Sequence, residues 1–294
     1  MLTIFACPKP FTDPHIAVIQ RNAITSWTLL QPRPEIILFG DEPGVAEICA
    51  ELGLRHARQI ARNEYGTPLV NHIFEKADQV ASHSLLCYVN SDIILPSNFM
   101  NAICTVMKLE RFLLVGQRVT LSIRHAIDFG DRQWAEPLLF QAREKHLLDG
   151  ARAIDYFAFR RGLFQKMPAF ALGKFAWDNW MIWKALSENV PVVDATTVVS
   201  AIHQAHGYPH PDGWQGIVKG EETRRNHALT ANGKHQLTLL DATHTLTPSG
   251  IQSRWAIRTR YHLKKRFRAW IGPPTRPLRR KFGSHLRILF PIRF

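Results

Sequence analysis

The chain has 294 residues, of which 46% are hydrophobic, so it is long and apolar enough to bury a sizeable core and is not a disordered protein. No apolar run approaches the roughly 18 residues of a membrane-spanning helix, and the start of the sequence lacks the basic region of a signal peptide. The four cysteines form no CxxC pair, so we expect free thiols in a reducing cytoplasm. The net charge of +13 is uneven, because residues 251–294 hold 13 Lys and Arg without any Asp or Glu, which leaves residues 1–250 with 24 basic and 24 acidic side chains.

Apolar runs and helical spacings alternate along the first third of the chain. The helical segments place apolar residues three and four positions apart, whereas the strand-like runs are short. Pro43 and Gly53 bound the second helical segment. In chain order, the predicted elements are strand 2–7, helix 15–30, strand 35–39, helix 43–53, helix 67–81 and strand 85–89. This order predicts an α/β fold with parallel strands and right-handed crossovers.

Three polar residues, Asn90, Ser91 and Asp92, directly follow the strand 85–89 and precede a second apolar stretch that Pro96 closes. In an open α/β sheet, ligands bind outside the carboxyl ends of the strands, so the carboxylate of Asp92 is placed to face a ligand cleft. The alternative is that Asp92 caps the helix near Pro96 or closes a turn.

The usual sequence fingerprints of phosphate binding and of hydrolases are missing. The chain contains no GxGxxG after the first strand, no GxxxxGK(S/T), no GxSxG and no HExxH. A diphosphate can instead be bound through a divalent cation that a carboxylate holds, and Mg²⁺ and Mn²⁺ are hard ions that prefer oxygen ligands. We therefore expect Asp92 to bind such a cation.

The stretch CYVNSDIIL, residues 87–95, resembles the DxD motif of GT-A-fold nucleotide-sugar glycosyltransferases, with Asn90 in place of the first acid. The resemblance covers residues 1–250 and implies a GT-A-like, mostly parallel Rossmann-type sheet flanked by helices. It implies a nucleotide-binding half over about 1–115 and an acceptor half over about 116–250. The implied reaction moves a sugar from a nucleotide-sugar donor to a hydroxyl of a glycan or lipid-linked acceptor, with Mn²⁺ or Mg²⁺ as the cofactor.

The acceptor half contains an aromatic segment around Asp178, which is expected at the N-terminus of a helix over 178–187. The helix dipole favours the charged form of a carboxylate there, and such a carboxylate can accept the proton of an acceptor hydroxyl. The resemblance implies that Asp178 is the catalytic base. It places four further residues at the acceptor: Asp155, Trp177, Asn179 and Trp180. The alternative is an ordinary helix cap beside core tryptophans.

A histidine-rich segment follows the strand-like run 191–203. The resemblance implies that a histidine in this region completes the metal shell, and His203 and His206 are the candidates, since Mn²⁺ tolerates an imidazole ligand. One alternative is a solvated polar loop. Another is a metal-dependent hydrolase that uses His203, His206 and His210, which leaves Asp92 without a role.

Polar residues also follow the first two strands, where the resemblance implies contacts with the nucleotide. Arg62 precedes the helix that leads to the motif and is suited to pair with a phosphate. The predicted nucleotide-binding residues are Pro8, Lys9, Asp41, Glu42, Arg62, Asn90 and Ser91. The alternative is that they are ordinary loop residues.

The basic tail, residues 251–294, alternates Lys and Arg with aromatic residues, and 254–271 predicts an amphipathic helix that Gly272 and two prolines end. This composition is typical of helices at anionic membrane surfaces. We expect a peripheral membrane protein of the cytoplasm, in cell-surface glycan synthesis. The alternatives are a solvated tail or nucleic-acid binding. Nucleic acid is disfavoured, because the neutral body shows no basic patch.

Overall fold

The computed structural model describes residues 1–144, 148–207 and 213–254. Contacts divide the chain into two units, Met1–Ser253 and Arg254–Phe294. The predicted tail helix over 254–271, apart from Arg254, lies outside the described residues, and so does His210. Among the described helices, none is both long and apolar enough to cross a membrane.

The first unit alternates strands and helices along most of its length. In chain order the elements are β1 (Leu2–Ala6), α1 (Pro14–Thr28), β2 (Glu35–Phe39), α2 (Val45–Leu52), β3 (Arg55–Ala57), α3 (Val70–Val80), β4 (Leu85–Val89), β5 (Ile93–Ile94), α4 (Asn98–Val106), β6 (Leu113–Val115), β7 (Arg118–Leu121), α5 (Glu136–Glu144), β8 (Tyr156–Arg160), α6 (Trp177–Ser187), β9 (Val192–Asp194), β10 (Ala201–Gln204), α7 (Gly213–Lys219), α8 (Glu221–Leu229), β11 (His244–Thr247) and β12 (Gly250–Ser253). The predicted strands and helices of the first third are all present, and the short strands β3 and β5 are additions.

Two sheets organise these elements. The larger one, within the described residues, has the strand order β12-β11-β9-β6-β8-β4-β1-β2-β3. Its pairs are parallel except where β8 lies antiparallel between β4 and β6 and where β12 pairs with β11. The smaller sheet has the order β5-β10-β7, with β10 parallel to β7 and antiparallel to β5. The predicted α/β fold with a mostly parallel sheet flanked by helices is confirmed.

Helix α1 shows how local sequence sets an element and attaches it to the sheets. Asp13 accepts a hydrogen bond of 2.9 Å from the backbone N of Ile16, and Pro14 occupies the first turn, where its missing N–H costs nothing. Trp27 on its inner face is fully buried and donates from Nε1 to the carbonyl of Ile93 at 2.9 Å. Truncating such a tryptophan to alanine costs about 3–5 kcal/mol.

The central strand β4 is buried on both faces, as expected for a strand covered by helices on each side. Leu85, Cys87 and Val89 pack into one hydrophobic cluster with side chains of α1 and α4. Leu86 and Tyr88 pack into the other, with side chains of α3 and α6. The strand therefore has no room for polar residues until it ends, and the first polar side chains, from Asn90 onward, lie at its carboxyl end.

Candidate metal centre and its surroundings

Asp92 is positioned by the turn that joins the two sheets. After β4 ends, the N–H of Ile93 donates to the carbonyl of Asn90 at 3.1 Å, and the chain enters β5. Strand β5 pairs antiparallel with β10, so that Ile93 lies beside His203. This pairing brings Asp92, at the start of β5, next to the carboxyl end of β10 and to the segment that follows it.

The structure brings together the three residues that the sequence predicted as metal ligands. Oδ2 of Asp92 is 3.1 Å from Nε2 of His206 and 3.8 Å from Nε2 of His203. One ligand atom from each of the three residues lies within 4.8 Å of the others. Oδ1 of Asp92 is buried and accepts no hydrogen bond from any described residue. A buried carboxylate oxygen without a donor is costly, and a bound cation removes that cost.

The ring of His206 presents a lone pair to Asp92. Its Nδ1 is 2.8 Å from the carbonyl oxygen of Gly207, and because a carbonyl only accepts, Nδ1 carries the proton. In the neutral ring, Nε2 then has a lone pair that points at the carboxylate of Asp92. A proton or a divalent cation between the two atoms satisfies both. One carboxylate and two imidazoles form a donor set that suits Mn²⁺ and related ions.

The charge states of the cluster favour cation binding. Burial by itself raises the pKa of Asp92, but in acid the protonated ring of His206 donates a hydrogen bond to it, and together with the positive charges of protonated His203 and of Lys9 this outweighs burial and holds that pKa well below its usual range. Burial lowers the pKa of His203 by more than the charge of Asp92 raises it. His203 is therefore the neutral imidazole, the form that binds metals, at neutral pH.

Asn90 and Asp155 lie beside this cluster in a buried network. Nδ2 of Asn90 donates to Oδ1 of Asp155 at 2.5 Å, and Nη1 of Arg118 donates to Oδ2 at 2.7 Å. Asp155, predicted at the acceptor, is 7% exposed and has both carboxylate oxygens engaged. Burial raises its pKa, against the lowering effect of Arg118. Arg118 was not predicted as a site residue, because a single arginine in a short strand carries no sequence signal.

Asp178 lies in the first turn of α6, as predicted. Its Oδ1 accepts a hydrogen bond of 2.8 Å from the backbone N of Asn179. Burial raises the pKa of Asp178 to about 7, and the charge of Asp155 adds to that rise. The helix N-terminus favours the charged form of Asp178, but the cost of burying the charge is larger and the pKa rises.

The predicted acceptor residues around Asp178 are mostly packed into the core. Trp177 is 5% exposed and meets Tyr88 edge-on at 5.3 Å between ring centroids. Trp180 is 4% exposed and packs on Phe170 at 5.5 Å. Neither ring has a face open to a sugar, so the core alternative describes both tryptophans. Asn179 is buried and accepts from Arg152 at 3.3 Å.

The loop after β1 is linked to Ser91 by the side chain of Gln20, which was not predicted as a site residue. Oε1 of Gln20 accepts from the backbone N of Lys9 at 2.7 Å and from Oγ of Ser91 at 2.9 Å. Lys9 is itself exposed, whereas Pro8 is buried. Gln20 is a polar residue on the apolar face of α1, one turn from Ala23, and this position was the sequence signal that could have revealed it.

Asp41, Glu42 and Arg62 come together at the ends of β2 and β3. Nη2 of Arg62 is 3.1 Å from Asp41 and 2.7 Å from Glu42, and Nη1 donates to the carbonyl of Gly66 at 3.0 Å. The charges of Glu42 and Arg62 both affect Cys7, whose pKa burial raises to about 12, so this cluster is close to the end of β1. Arg62 is engaged by two carboxylates, and a phosphate would have to compete with them.

A cavity of about 590 Å³ opens beside the metal cluster. This volume lies within the range of small-molecule sites. Its lining combines one metal-ligand candidate with two further side chains that can carry positive charge, and the lining residues are His15, Ser122, Arg124, Ala205, His206 and Gly207.

No protein-family model matches the sequence, and no curated protein sequence matches it. Solved structures do show similarity. A mannosyltransferase from Pyrobaculum calidifontis, solved in complex with GDP-Man and Mn²⁺, is 14% identical with a TM-score of 0.45, over 70% of this chain and 57% of that protein. The chain therefore spans just over half the length of that mannosyltransferase.

Two further structures are similar at the same level. Glucosyl-3-phosphoglycerate synthase from Mycobacterium tuberculosis, in complex with Mn²⁺, UDP and phosphoglyceric acid, is 14% identical with a TM-score of 0.48, over 80% of this chain and 78% of that one. TarS from S. aureus, residues 1–349 with UDP-GlcNAc, is 11% identical with a TM-score of 0.49, over 79% of this chain and 66% of that one.

Proposed function

We propose that the protein is a glycosyltransferase that moves a sugar from a nucleotide-sugar donor to a hydroxyl acceptor, with Mn²⁺ or Mg²⁺ held by Asp92, His203 and His206. The observation that carries the proposal is the convergence of one carboxylate and two imidazoles at the end of a central strand, beside a cavity of about 590 Å³. The carboxyl ends of strands are where open α/β sheets bind nucleotides.

The residues of the cluster fit such a cation. The buried Oδ1 of Asp92, which no described residue satisfies, is available as a ligand atom, and the cluster supplies two nitrogen donors besides. Two imidazoles suit Mn²⁺ better than Mg²⁺, which prefers oxygen alone. When bound, a divalent cation neutralises negative charge on a leaving nucleoside diphosphate.

Asp178 is the residue that we assign to proton transfer. A base is most effective when its pKa is close to the working pH, and burial raises the pKa of Asp178 to about 7. The N–H of Asn179 holds one carboxylate oxygen, which leaves the other to accept the proton of the acceptor hydroxyl. This role belongs to a reaction that inverts the anomeric configuration. In a retaining reaction, Asp178 orients the acceptor.

A metal-dependent hydrolase is the second candidate, because two histidines and one carboxylate are also a donor set of catalytic zinc sites. In the sequence this alternative relied on His203, His206 and His210. The structure brings the first two together with Asp92 instead, and His210 lies outside the described residues.

Calorimetry on the full chain separates the two functions. UDP, GDP, CDP and dTDP are titrated with and without Mn²⁺ into wild type, D92A and a control, E75Q, which removes an exposed acid from α3. The transferase is supported if one nucleotide binds only with Mn²⁺ and D92A alone loses this binding. Mn²⁺ or Zn²⁺ binding without affinity for any nucleotide overturns the transferase and leaves the hydrolase.

We also propose where the enzyme works. The 13 Lys and Arg of residues 251–294, without a compensating acid, are suited to hold a cytoplasmic enzyme at an anionic membrane surface. A lipid-linked or surface glycan acceptor is found at such a surface, which supports a role in polysaccharide synthesis.

A further inference from the structure

Thr120 lies between an acidic side chain and one of the proposed metal ligands. Strands β7 and β10 pair in parallel, with Thr120 directly beside His203 in the register. Oγ1 of Thr120 is 3.0 Å from Nδ1 of His203 and 2.7 Å from Oδ2 of Asp149. Asp149, Thr120 and His203 therefore form a continuous chain of hydrogen bonds that leads to Asp92.

Asp149, the outer member of this chain, is itself held in place. Its Oδ2 accepts from Nε of Arg118 at 2.6 Å, and its backbone N–H donates to the carbonyl of Arg118 at 3.1 Å. Its own carbonyl accepts from Nε2 of Gln117 at 2.7 Å. Arg118 also binds Asp155. The same guanidinium therefore holds Asp155, the partner of Asn90, and Asp149, the partner of Thr120.

The protons along the chain determine which nitrogen of His203 carries hydrogen. An ionised carboxylate only accepts, so the one hydroxyl proton of Thr120 goes to Asp149. The oxygen of Thr120 then accepts from His203, which requires the proton of the neutral ring to be on Nδ1. Nε2 of His203, which faces Asp92 at 3.8 Å, keeps its lone pair.

We infer that Thr120 and Asp149 are positioning residues that hold His203 in the Nδ1–H tautomer and direct its Nε2 lone pair at the cation site beside Asp92. The inference rests on the proposed function for the use of that site, and the tautomer itself can be tested without a metal. Partners that orient ligating imidazoles contribute strongly to metal binding, and their loss weakens affinity about 10- to 100-fold.

The test compares T120V, T120S and T245V with wild type, all as full chains. Valine keeps the volume of Thr120 and removes its hydroxyl, whereas serine keeps the hydroxyl. Thr245 is a matched control, because it is half-buried on strand β11, outside the small sheet. Two quantities are measured: the Kd for Mn²⁺, from the electron paramagnetic resonance signal of free Mn²⁺, and the tautomer of His203 in metal-free protein, from its ¹⁵N chemical shifts.

We expect wild type, T120S and T245V to bind Mn²⁺ with similar Kd and to show the Nδ1–H tautomer. In T120V, the Kd should rise about 10- to 100-fold and the Nδ1–H preference should be lost. Unchanged Kd and tautomer in a folded T120V overturn the inference. So does the Nε2–H tautomer in wild type, which needs no variant to be seen. If wild type binds no Mn²⁺, the proposed function loses its metal site, while the tautomer comparison still decides the role of Thr120.

Discussion

The side-chain amide of Asn90 donates a 2.5 Å hydrogen bond to Asp155, at the position where a DxD motif has its first acid. The other oxygen of Asp155 accepts from Arg118 at 2.7 Å. Only a donor suits position 90, because two ionised carboxylates at this distance repel each other and one of them must take up a proton. Asn90 therefore supplies the hydrogen-bond donor that Asp155 requires. This is a structural reason for an amide, rather than an acid, at position 90.

Restoring the acid with N90D is expected to weaken the protein. It replaces a buried hydrogen bond to a charged group by a repulsive pair, which costs about 1–3 kcal/mol of unfolding free energy at neutral pH. One carboxyl of the new pair has a raised pKa, so the deficit should shrink as the pH falls toward about 4, where a shared proton restores a donor. Urea unfolding across pH measures both effects.

The control for N90D is N101D, which adds the same charge at an exposed position of α4. We expect N101D to stay close to wild type at every pH and N90D to bind Mn²⁺ no more tightly than wild type. A stable N90D with higher Mn²⁺ affinity would show that Asn90 is an impaired metal ligand, contrary to the geometry.

Asp178 should give the reaction a characteristic pH dependence. A base must be deprotonated to act, so kcat/KM of the wild type is expected to rise with pH through about 7, the pKa that burial gives Asp178. D178N should lower kcat about 10²- to 10⁴-fold and remove this rising limb. D78N is the control, since burial also raises the pKa of Asp78, a residue of α3. If the pH profile of kcat/KM in D178N matches that of D78N, Asp178 is not the catalytic base.

The same residue should affect stability with a defined sign. The pKa of Asp178 is raised in the folded state from an ordinary value of 3.8 to about 7. Its contribution to stability is therefore complete below about pH 4 and is lost as the pH rises through about 7. We expect wild type to lose stability over this interval relative to D178N, as measured by urea unfolding. A constant difference between the two proteins across the interval would contradict the raised pKa.

Strands β1, β2 and β4 of the large sheet could be predicted, because they are continuous apolar runs that helical segments separate. The small sheet could not. Strand β5 has two residues and β7 has four, and their pairing with β10 depends on contacts across some 80 to 110 positions of the chain. Sequence patterns carry no register for such short strands. The three metal-ligand candidates were predicted singly, and it is this pairing that brings them together.

Burial was the other property that local patterns did not supply. Trp177 and Trp180 suggested a surface for sugars, but the hydrophobic cluster beneath α3 and α6 takes both rings. Arg62 suggested a phosphate contact, but Asp41 and Glu42, which follow β2, already pair with its guanidinium. In each case the fold brings the competing partner close, and the local sequence pattern does not contain it.

The basic tail is expected to bind anionic membranes. Each basic residue near such a surface contributes about 1 kcal/mol. Reversing three of them in the full chain, with K264E, K265E and R266E, should remove most sedimentation with vesicles of phosphatidylcholine and phosphatidylserine. Wild type should not sediment with phosphatidylcholine alone. Equal binding of both proteins would contradict a role of the tail charges, and tighter binding to single-stranded DNA than to vesicles would favour nucleic acid.

Glu42, rather than Asp41, is expected to contact the base or ribose of the donor. Oε1 of Glu42 binds Arg62, while Oε2 is buried and accepts no hydrogen bond from the described residues, whereas the side chain of Asp41 is 69% exposed. E42Q should weaken binding of the preferred nucleoside diphosphate about 10-fold or more, because it removes a charge-assisted acceptor. D41N should change affinity less than about fivefold, as for an exposed ion pair. Titrating the matching nucleoside, which lacks the phosphates, locates the contact. If E42Q weakens the binding of the nucleoside and of the nucleoside diphosphate by the same factor, Glu42 contacts the base or ribose. A loss confined to the diphosphate would assign the effect to Arg62 and the phosphates instead.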